Sequence, residues 1–250
     1  MAYSIALCGG VYKREPIAYK IRLLKLKDNG GLSLAKFVSD NIPPYAILSH
    51  IWGEDYKEVT FKDLMDSLGK SKAGYTKIRF CMTQAAKDGL QYPRVGTCCI
   101  DKSSSAELSE AINSMFRWYH DATKCYVYLS DVSIGSSVGN ELRWFTRGWT
   151  LQELVAPTWV EFFSVEGDRL GDKDSMVQEI HEVTGIRIRA LQGSPLSRFS
   201  AARRETKREE DAACSLLGIF DIDIPPIYGE GRRKEFIRLR KGIEGSLRDK

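Results

Sequence analysis

The stretch YAILSHIWG, residues 45 to 53, decides the fold because an apolar run of strand length ends abruptly in polar and aromatic side chains. The apolar residues come first, and Ser49, His50 and Trp52 close the stretch. A run of this kind suits a strand of a parallel sheet that helices cover on both faces. Ligands of such sheets bind beyond the carboxyl ends of the strands. The stretch therefore predicts a buried strand that delivers these three side chains to a ligand crevice.

Further apolar runs of strand length follow the first one, and helical patterns separate them. The predicted strands cover residues 95 to 100, 125 to 129 and 159 to 163. Strands that alternate with helices predict an α/β fold, with a mainly parallel sheet and flanking helices. The second of these runs ends in Asp101 and Lys102, which the same rule on strand ends would bring to the crevice.

The segments on either side of this core have patterns of their own. Residues 20 to 26 alternate polar and apolar side chains, and the turn sequence DNGG follows, which predicts a β-hairpin. Residues 1 to 20 show no period and are predicted to be an N-terminal extension. The core is expected at about residues 43 to 165. From about 172 to 250 we predict a helical C-terminal elaboration, with helices at residues 176 to 183, 209 to 220 and 235 to 243.

Composition and charge exclude several classes of protein. With 43% hydrophobic and 28% charged residues, the 250-residue chain is typical of a globular protein rather than a disordered one. No apolar run approaches the roughly 18 residues of a membrane span, and no signal-peptide core is evident. We therefore predict a cytoplasmic protein that has no membrane partner. The net charge of +4 arises in the C-terminal part, where basic and acidic residues are interleaved, which disfavours a nucleic-acid partner.

Several common kinds of site are not indicated. The six cysteines form no CxxC pair, and His50, His120 and His181 lie far apart, so we predict no metal and read the cysteines as reduced core residues. The segment GSSVG, residues 135 to 139, matches GxSxG with His181 as a conceivable base. Its continuation is a poor helix, which disfavours serine hydrolysis. The phosphate-binding loop and the GxGxxG fingerprint of dinucleotide-binding proteins are both missing.

Glu153 is the acid that the sequence favours for chemistry. A helix over residues 144 to 155 would put Trp149 and Glu153 on one face, so that an aromatic wall stands beside a carboxylate. A structural alternative exists, because Thr150 and Glu153 have the spacing of a capping box, in which the acid only satisfies backbone donors.

The other candidate residues also have structural alternatives. His50 and Trp52 would hold a ligand by hydrogen bonding and stacking, or they would fill the space beneath a loop. Asp101 and Lys102 suit a ligand hydroxyl or phosphate, and equally an ion pair near the start of a helix.

Several segments together resemble the fungal heterokaryon-incompatibility (HET) domain. In chain order they are IRLLKLK at 21 to 27, PPYAILSHIWG at 43 to 53, TCCIDKSS at 97 to 104, RWFTRGWTLQELVAP at 143 to 157, RETKREEDAACSLLGIF at 204 to 220 and IYGEG at 227 to 231. The resemblance implies one HET domain over residues 21 to 250. It also implies a role in non-self recognition, in which incompatible fused hyphae trigger programmed cell death, with a separate sensor protein as a partner.

A weaker resemblance suggests a mechanism. LSHIWGEDYKEVTFKDLMDSL is similar to the opening of plant Toll/interleukin-receptor (TIR) domains, and GWTLQEL is similar to their WCLxEL segment, whose glutamate is catalytic in NAD cleavage. This similarity implies a flavodoxin-like or TIR-like core, Glu153 as the catalytic residue, and NAD as a substrate with no cofactor. The predicted substrate-binding residues are Ser49, His50, Trp52, Asp101, Lys102 and Trp149.

Two alternatives to an enzyme stay open. The first is a non-enzymatic signalling module that forms a homo-oligomer or binds a partner receptor. The second is a decayed copy, because the sequence departs from the family pattern in two places. Arg94, Val95 and Gly96 stand where family members usually have tryptophan, valine and aspartate, and the segment between Phe199 and Arg204 is short.

Overall fold

The computed structural model describes residues 19–134, 143–193, 211–220 and 222–248, and its first element is the predicted hairpin. Strands β1 (Lys20–Leu26) and β2 (Leu32–Val38) pair antiparallel along their whole length. Between them Gly30 has a φ of 73°, a conformation that glycine adopts without steric cost. The alternating pattern and the turn sequence thus predicted this element correctly.

A five-stranded sheet forms the centre of the domain. Its strands are β3 (Tyr45–His50), β4 (Tyr92–Val95), β5 (Lys124–Tyr128), β6 (Val160–Phe163) and β7 (Arg169–Asp172). They lie in the order β4-β3-β5-β6-β7, parallel except for β7, which runs antiparallel to β6. This is the 2-1-3-4-5 order of flavodoxin-like folds, in which the ligand site lies at the ends of the first and third strands. The α/β fold with a mainly parallel sheet is confirmed, and the crevice is expected beyond β3 and β5.

Helices cover both faces of this sheet. The helices are α1 (Phe61–Met65), α2 (Tyr75–Lys87), α3 (Gly96–Cys99), α4 (Ser105–His120), α5 (Arg143–Thr146), α6 (Thr150–Val155), α7 (Val177–Thr184), α8 (Ile188–Leu191), α9 (Asp211–Cys214), α10 (Leu217–Phe220) and α11 (Arg232–Arg248). Buried residues of α1, α2 and α3 pack on one face of the sheet. Those of α4 to α7 and of the C-terminal helices pack on the other.

The central strand β3 supplies both halves of the core. All six of its residues are buried, and it pairs with β4 on one side and β5 on the other. Because side chains alternate along a strand, Tyr45 and Ile47 join the core on the α4 face, whereas Ala46 and Leu48 join the core on the α2 face. The same alternation carries on to Ser49 and His50, at the carboxyl end of the strand.

Several local predictions were wrong. The strand predicted at residues 95 to 100 is β4, which ends at Val95, and the apolar residues after it form the helical turn α3. A short buried run does not distinguish a strand from a buried helix by periodicity, which explains this error. The antiparallel edge strand β7 escaped notice because its sequence RLGD contains no apolar run.

The helix predicted at residues 144 to 155 is two short helices, α5 and α6, with a break at residues 147 to 149. The hydroxyl of Thr150 donates to the carbonyl oxygens of Trp144 and Arg147, at 2.7 and 2.8 Å. These hydrogen bonds stabilise the backbone at the break. The helix predicted at 209 to 220 is likewise interrupted between α9 and α10, and its first two residues lie outside the described ranges. The GxSxG segment and the short segment after Phe199 also lie outside them.

Candidate functional site

The carboxyl end of β3 brings Ser49 into contact with Glu153 of α6. The Ser49 hydroxyl donates a hydrogen bond to Oε2 of Glu153. Its oxygen in turn accepts a hydrogen bond of 2.7 Å from Nε1 of Trp144, in α5. Ser49 is 1% exposed and Trp144 is completely buried, so both are fixed by the core around them. The carboxyl group of Glu153 is therefore held at the end of the sheet where ligands of this fold bind.

Tyr119, on α4, forms another side of this site. Its hydroxyl donates to the carbonyl oxygen of Leu48 at 3.2 Å and lies against the Glu153 carboxyl group. Burial raises the pKa of Glu153 to about 7, although hydrogen bonds from Ser49 and Tyr119 and the charge of Arg147 act in the opposite direction. A carboxyl group that titrates near neutrality can act as an anion or as an acid, which is a property of many catalytic carboxylates.

The capping-box alternative for Glu153 is wrong. Thr150 lies inside α6 rather than at its N-cap, which is Trp149, and its hydroxyl donates to the carbonyl oxygens at the break instead of capping a backbone amide. The Glu153 carboxyl group contacts Ser49, so it is not used as a helix cap. A structural role at the helix end therefore does not account for this acid.

Trp144, which the sequence did not single out, also reaches this site through the hydrogen bond from its indole to Ser49. Trp149, the predicted partner of Glu153, precedes α6 and is half-buried against the core. The backbone of Trp149 is helical, and its carbonyl oxygen accepts from the amide of Glu153 at 3.4 Å, so the two residues lie one helical turn apart as the sequence predicted. The role of Trp149 in substrate binding stays a prediction. Trp144 sits next to Phe145 and Phe162, with ring centroids 4.9 and 5.9 Å away, so its indole is locked in place.

His50 lies on the opposite face of β3 from Glu153, among residues of the β3–α1 loop and α2. Its Nε2 is 3.8 Å from Oε2 of Glu58, too far for a hydrogen bond, and it has no hydrogen-bond partner in the described part of the chain. Burial lowers the pKa of His50, so the ring is neutral at physiological pH. The structure thus separates His50 from the acid with which it was predicted to share a crevice.

Trp52 and Lys102 meet where the loops after β3 and α3 approach each other. The Lys102 ammonium lies 3.5 Å from the centroid of the Trp52 ring, and Trp52 is 40% exposed. Gly96 leaves space beneath this ring, since a Cβ there would lie 4.0 Å from Cζ2 of Trp52. An aromatic face beside a cation is suited to a planar ligand that carries an anionic group.

Asp101 takes part in a local turn. Its carboxylate accepts hydrogen bonds from the backbone amide and hydroxyl of Ser103, at 3.0 and 2.6 Å, and these bonds lower its pKa. Its own amide donates to Glu107 at 2.7 Å, near the start of α4. Asp101 therefore shapes the loop that carries Lys102, and its role in substrate binding stays a prediction.

The departure from the family pattern at Arg94 is accommodated inside the fold. The Arg94 side chain is buried, with its guanidinium carbon 3.6 Å from the centroid of the Trp118 ring, and Nη1 donates to the carbonyl oxygen of Arg22 at 2.7 Å. A long, flat side chain therefore fills this buried position, where the resemblance to the HET domain predicts a tryptophan.

Within the described ranges, no group of three or more His, Cys, Asp and Glu side chains is placed to hold a metal ion. The described cysteines are buried and unpaired. None of the described helices is both long and apolar enough to cross a membrane.

Comparisons with known proteins connect this chain to one family. Residues 45–142 match the family described as Heterokaryon incompatibility protein (HET), a range that includes Ser49 and Lys102 and stops before Glu153. The chain is also 54% identical to the vegetative incompatibility protein HET-E-1 of Podospora anserina, over 250 residues that include 92% of this chain. The chain spans 18% of the length of that protein. No solved structure matches it. The family match and the high identity along nearly the whole chain show that it belongs to the heterokaryon-incompatibility (HET) family.

Proposed function

We propose that this HET domain acts in heterokaryon incompatibility as a non-self recognition and cell-death signalling domain, and that it signals by hydrolysing NAD with Glu153. The family match and the name of the Podospora relative support the first part. The observation that carries the second part is the contact of Ser49 with Glu153, which fixes a carboxyl group at the ligand-binding end of the sheet.

The chemistry of NAD cleavage suits this carboxyl group. Nicotinamide leaves as a neutral molecule when it takes the electron pair of its bond to the ribose, so the leaving group needs little help from an acid. The developing oxocarbenium ion needs a nearby anion, as in glycoside hydrolysis, and water then adds to the ribose and releases a proton. With a pKa of about 7, Glu153 is part ionised at physiological pH. The positive charge of the nicotinamide ring would favour the ionised form further.

The other residues take supporting roles in this proposal. Ser49 and Tyr119 orient the carboxyl group by hydrogen bonding. Trp52 offers its exposed ring for stacking on a base, and the Lys102 ammonium beside it would meet the pyrophosphate. His50 has no place among these contacts, since it faces the other side of the sheet.

The direct test is an assay of NAD loss with the purified chain. We expect wild type to consume NAD and Glu153→Gln to lose about 100-fold or more of that activity, as removal of a single charge-stabilising group does in other enzymes. The matched control is Glu110→Gln, which makes the same change at an exposed position of α4. Equal turnover by wild type and Glu153→Gln would overturn the assignment.

The same pair of variants separates this proposal from a non-enzymatic module that forms a homo-oligomer or binds a sensor protein. Expression of the wild-type chain in fungal cells should be toxic, and Glu153→Gln should abolish the toxicity while the fold and oligomer size persist. Toxicity that survives Glu153→Gln but is lost when self-association is broken would support the non-enzymatic module instead.

A further inference from the structure

The backbone on both sides of Trp52 is held by one ion pair, between Glu58 at the end of the same loop and Lys77 of α2. Nζ of Lys77, on α2, donates to the carbonyl oxygen of Ile51 at 2.9 Å. Oε1 of Glu58 accepts from the backbone amide of Gly53 at 2.7 Å. The two side chains also bind each other, with 2.6 Å between Nζ and Oε1. The peptide groups that precede and follow Trp52 are therefore joined through Lys77 and Glu58.

This ion pair is shielded from water. Glu58 is 6% exposed, and the side chain of Lys77 is 14% exposed. Burial acts to raise the pKa of Glu58, but the hydrogen bonds from Lys77 and from the backbone amide of Gly53 favour the charged form and help to hold the pKa below its usual range. Because the carboxylate stays charged across the physiological range, both of its hydrogen bonds persist there.

Gly74, the N-cap residue of α2, provides the space that Glu58 occupies. A Cβ at this position would lie 2.7 Å from Oε2 of Glu58 and 2.9 Å from the carbonyl oxygen of Lys57. Its φ of −63° is accessible to any residue, so steric space rather than backbone conformation requires glycine here. The start of α2 and the end of the β3–α1 loop are thus fitted closely to each other.

The Trp52 ring that this arrangement supports is 40% exposed, and the Lys102 ammonium lies over one of its faces, 3.5 Å from the centroid. Trp52 is flanked by a run of exposed residues at 53 to 57, whereas Ile51 and Glu58 at the two ends are buried. An aromatic ring on a loop would ordinarily lose conformational freedom when it stacks on a ligand, and that loss reduces affinity. Because the peptide groups on both sides of Trp52 are already fixed, its ring loses less conformational freedom when a ligand binds.

We propose that Glu58 and Lys77 are positioning residues that hold Trp52 as a preformed stacking surface for the base of a nucleotide. This inference rests on the proposed function for the identity of the ligand, NAD, but the support of Trp52 by the ion pair can be measured without any ligand. His50, beneath the same loop, fills space next to Glu58 and gives the pair a neutral neighbour.

The position of Trp52 can be followed by fluorine NMR after incorporation of 5-fluorotryptophan, with Trp52→Phe to assign its signal. We expect Lys77→Met to shift and broaden the Trp52 signal, because both backbone contacts lose their support. Lys77→Arg, which keeps the cation, should restore most of the wild-type signal. Lys87→Met is the matched control, since it makes the same substitution at an exposed position of α2. Gly74→Ala is a second way to disturb the support of Trp52, because the added Cβ displaces Glu58 while the charges of Glu58 and Lys77 stay in place.

Binding of NAD is then measured by calorimetry in the Glu153→Gln background, where turnover does not interfere. We expect Lys77→Met and Gly74→Ala to weaken binding about tenfold, the typical effect of losing preorganisation worth roughly 1.4 kcal/mol. The control Lys87→Met should bind as the parent does. A Trp52 signal that stays unchanged in folded Lys77→Met and in Gly74→Ala would overturn the inference. A shifted signal in a protein that binds no NAD would support the positioning role and overturn the proposed substrate.

Discussion

Ser49 and His50 are adjacent in the chain, yet their side chains lie on opposite faces of β3 and belong to different groups of residues. Ser49 bonds to Glu153 on the α4 face, and His50 approaches Glu58 on the α2 face. One strand end thus supports two distinct parts of the candidate site. The first part holds the acid, and the second holds the loop that carries Trp52. Each part leads to its own predictions.

Replacement of Glu153 by glutamine should change how stability depends on pH. The pKa of this group rises from 4.5 to about 7 in the folded protein, so the folded state keeps a proton that the unfolded state has released. Wild-type stability should therefore fall as pH rises from about 4.5 to 7. Glu153→Gln removes this effect. The free energy of unfolding of the variant, relative to that of wild type, should therefore be higher at pH 8 than at pH 5, by about 3 kcal/mol at most. Urea unfolding at the two pH values measures the difference. A constant difference between the proteins at both pH values would contradict an acid that is buried with a raised pKa.

Removal of the Ser49 hydroxyl should raise the pKa of Glu153 further. The hydrogen bond from Ser49 favours the charged carboxylate, and Ser49→Ala takes it away while leaving the burial unchanged. Carbon NMR of glutamate labelled at the carboxyl carbon measures the titration, with Glu153→Gln to assign the signal. The control is Ser103→Ala, at an exposed serine that bonds to Asp101. A Glu153 pKa that falls in Ser49→Ala would show that the serine does not stabilise the anion.

Gln152 should prove to be the main polar link between α6 and the C-terminal helices. It is completely buried, and its Nε2 donates to the carbonyl oxygens of Ser215 and Cys214, at 2.6 and 3.5 Å. Gln152→Leu leaves these carbonyl oxygens buried without a donor, which should cost about 1 to 3 kcal/mol of stability. Gln178→Leu, at an exposed position of α7, is the control and should change stability by less than about 0.5 kcal/mol. Equal losses in the two variants would mean that α6 does not depend on this link.

Two glycines near the candidate site should respond differently to a side chain. Gly74→Ala forces contacts below 3 Å with Glu58 and Lys57, so it should lower the melting temperature by several degrees. Gly96→Asp introduces the acid that the resemblance to the HET domain predicts at this position. Its Cβ would meet only Trp52, at 4.0 Å, so the change should leave the melting temperature nearly unchanged. Thermal melting monitored by circular dichroism compares them. A large loss in Gly96→Asp would show that this chain has become adapted to glycine at that position.

The sequence predicted the fold well where a strand had a distinct apolar run. Residues 45 to 48 and 159 to 163 correspond closely to β3 and β6, and the alternating hairpin was also correct. The pattern of apolar residues did not predict the polar strand β7 or the boundary between β4 and α3. Both depend on hydrogen bonds to neighbouring strands, which the sequence pattern does not show. Helix propensity did not predict the break before α6 either. The break depends on the hydrogen bonds from the Thr150 hydroxyl to the carbonyl oxygens of Trp144 and Arg147.

The sequence singled out Ser49, Trp52, Lys102 and Glu153 as candidates, but it did not predict how the structure groups them. Trp144 and Tyr119 were missed as members of the site, because a buried aromatic residue looks the same in sequence whether it fills a core or orients a carboxylate. Glu58 and Lys77 were missed for a similar reason. Their spacing of nineteen residues carries no local signal, and only the return of α2 alongside β3 brings them together.

The most direct test of the whole account is the pH dependence of NAD consumption by the purified chain and by Glu153→Gln. The ionised form of Glu153 is the one that stabilises the transition state, so the wild-type rate should rise with pH through about 7 and then level off. Glu153→Gln should show neither the activity nor that rise. Absence of NAD consumption by the folded wild-type chain at every pH, or an unchanged profile in Glu153→Gln, would contradict the account.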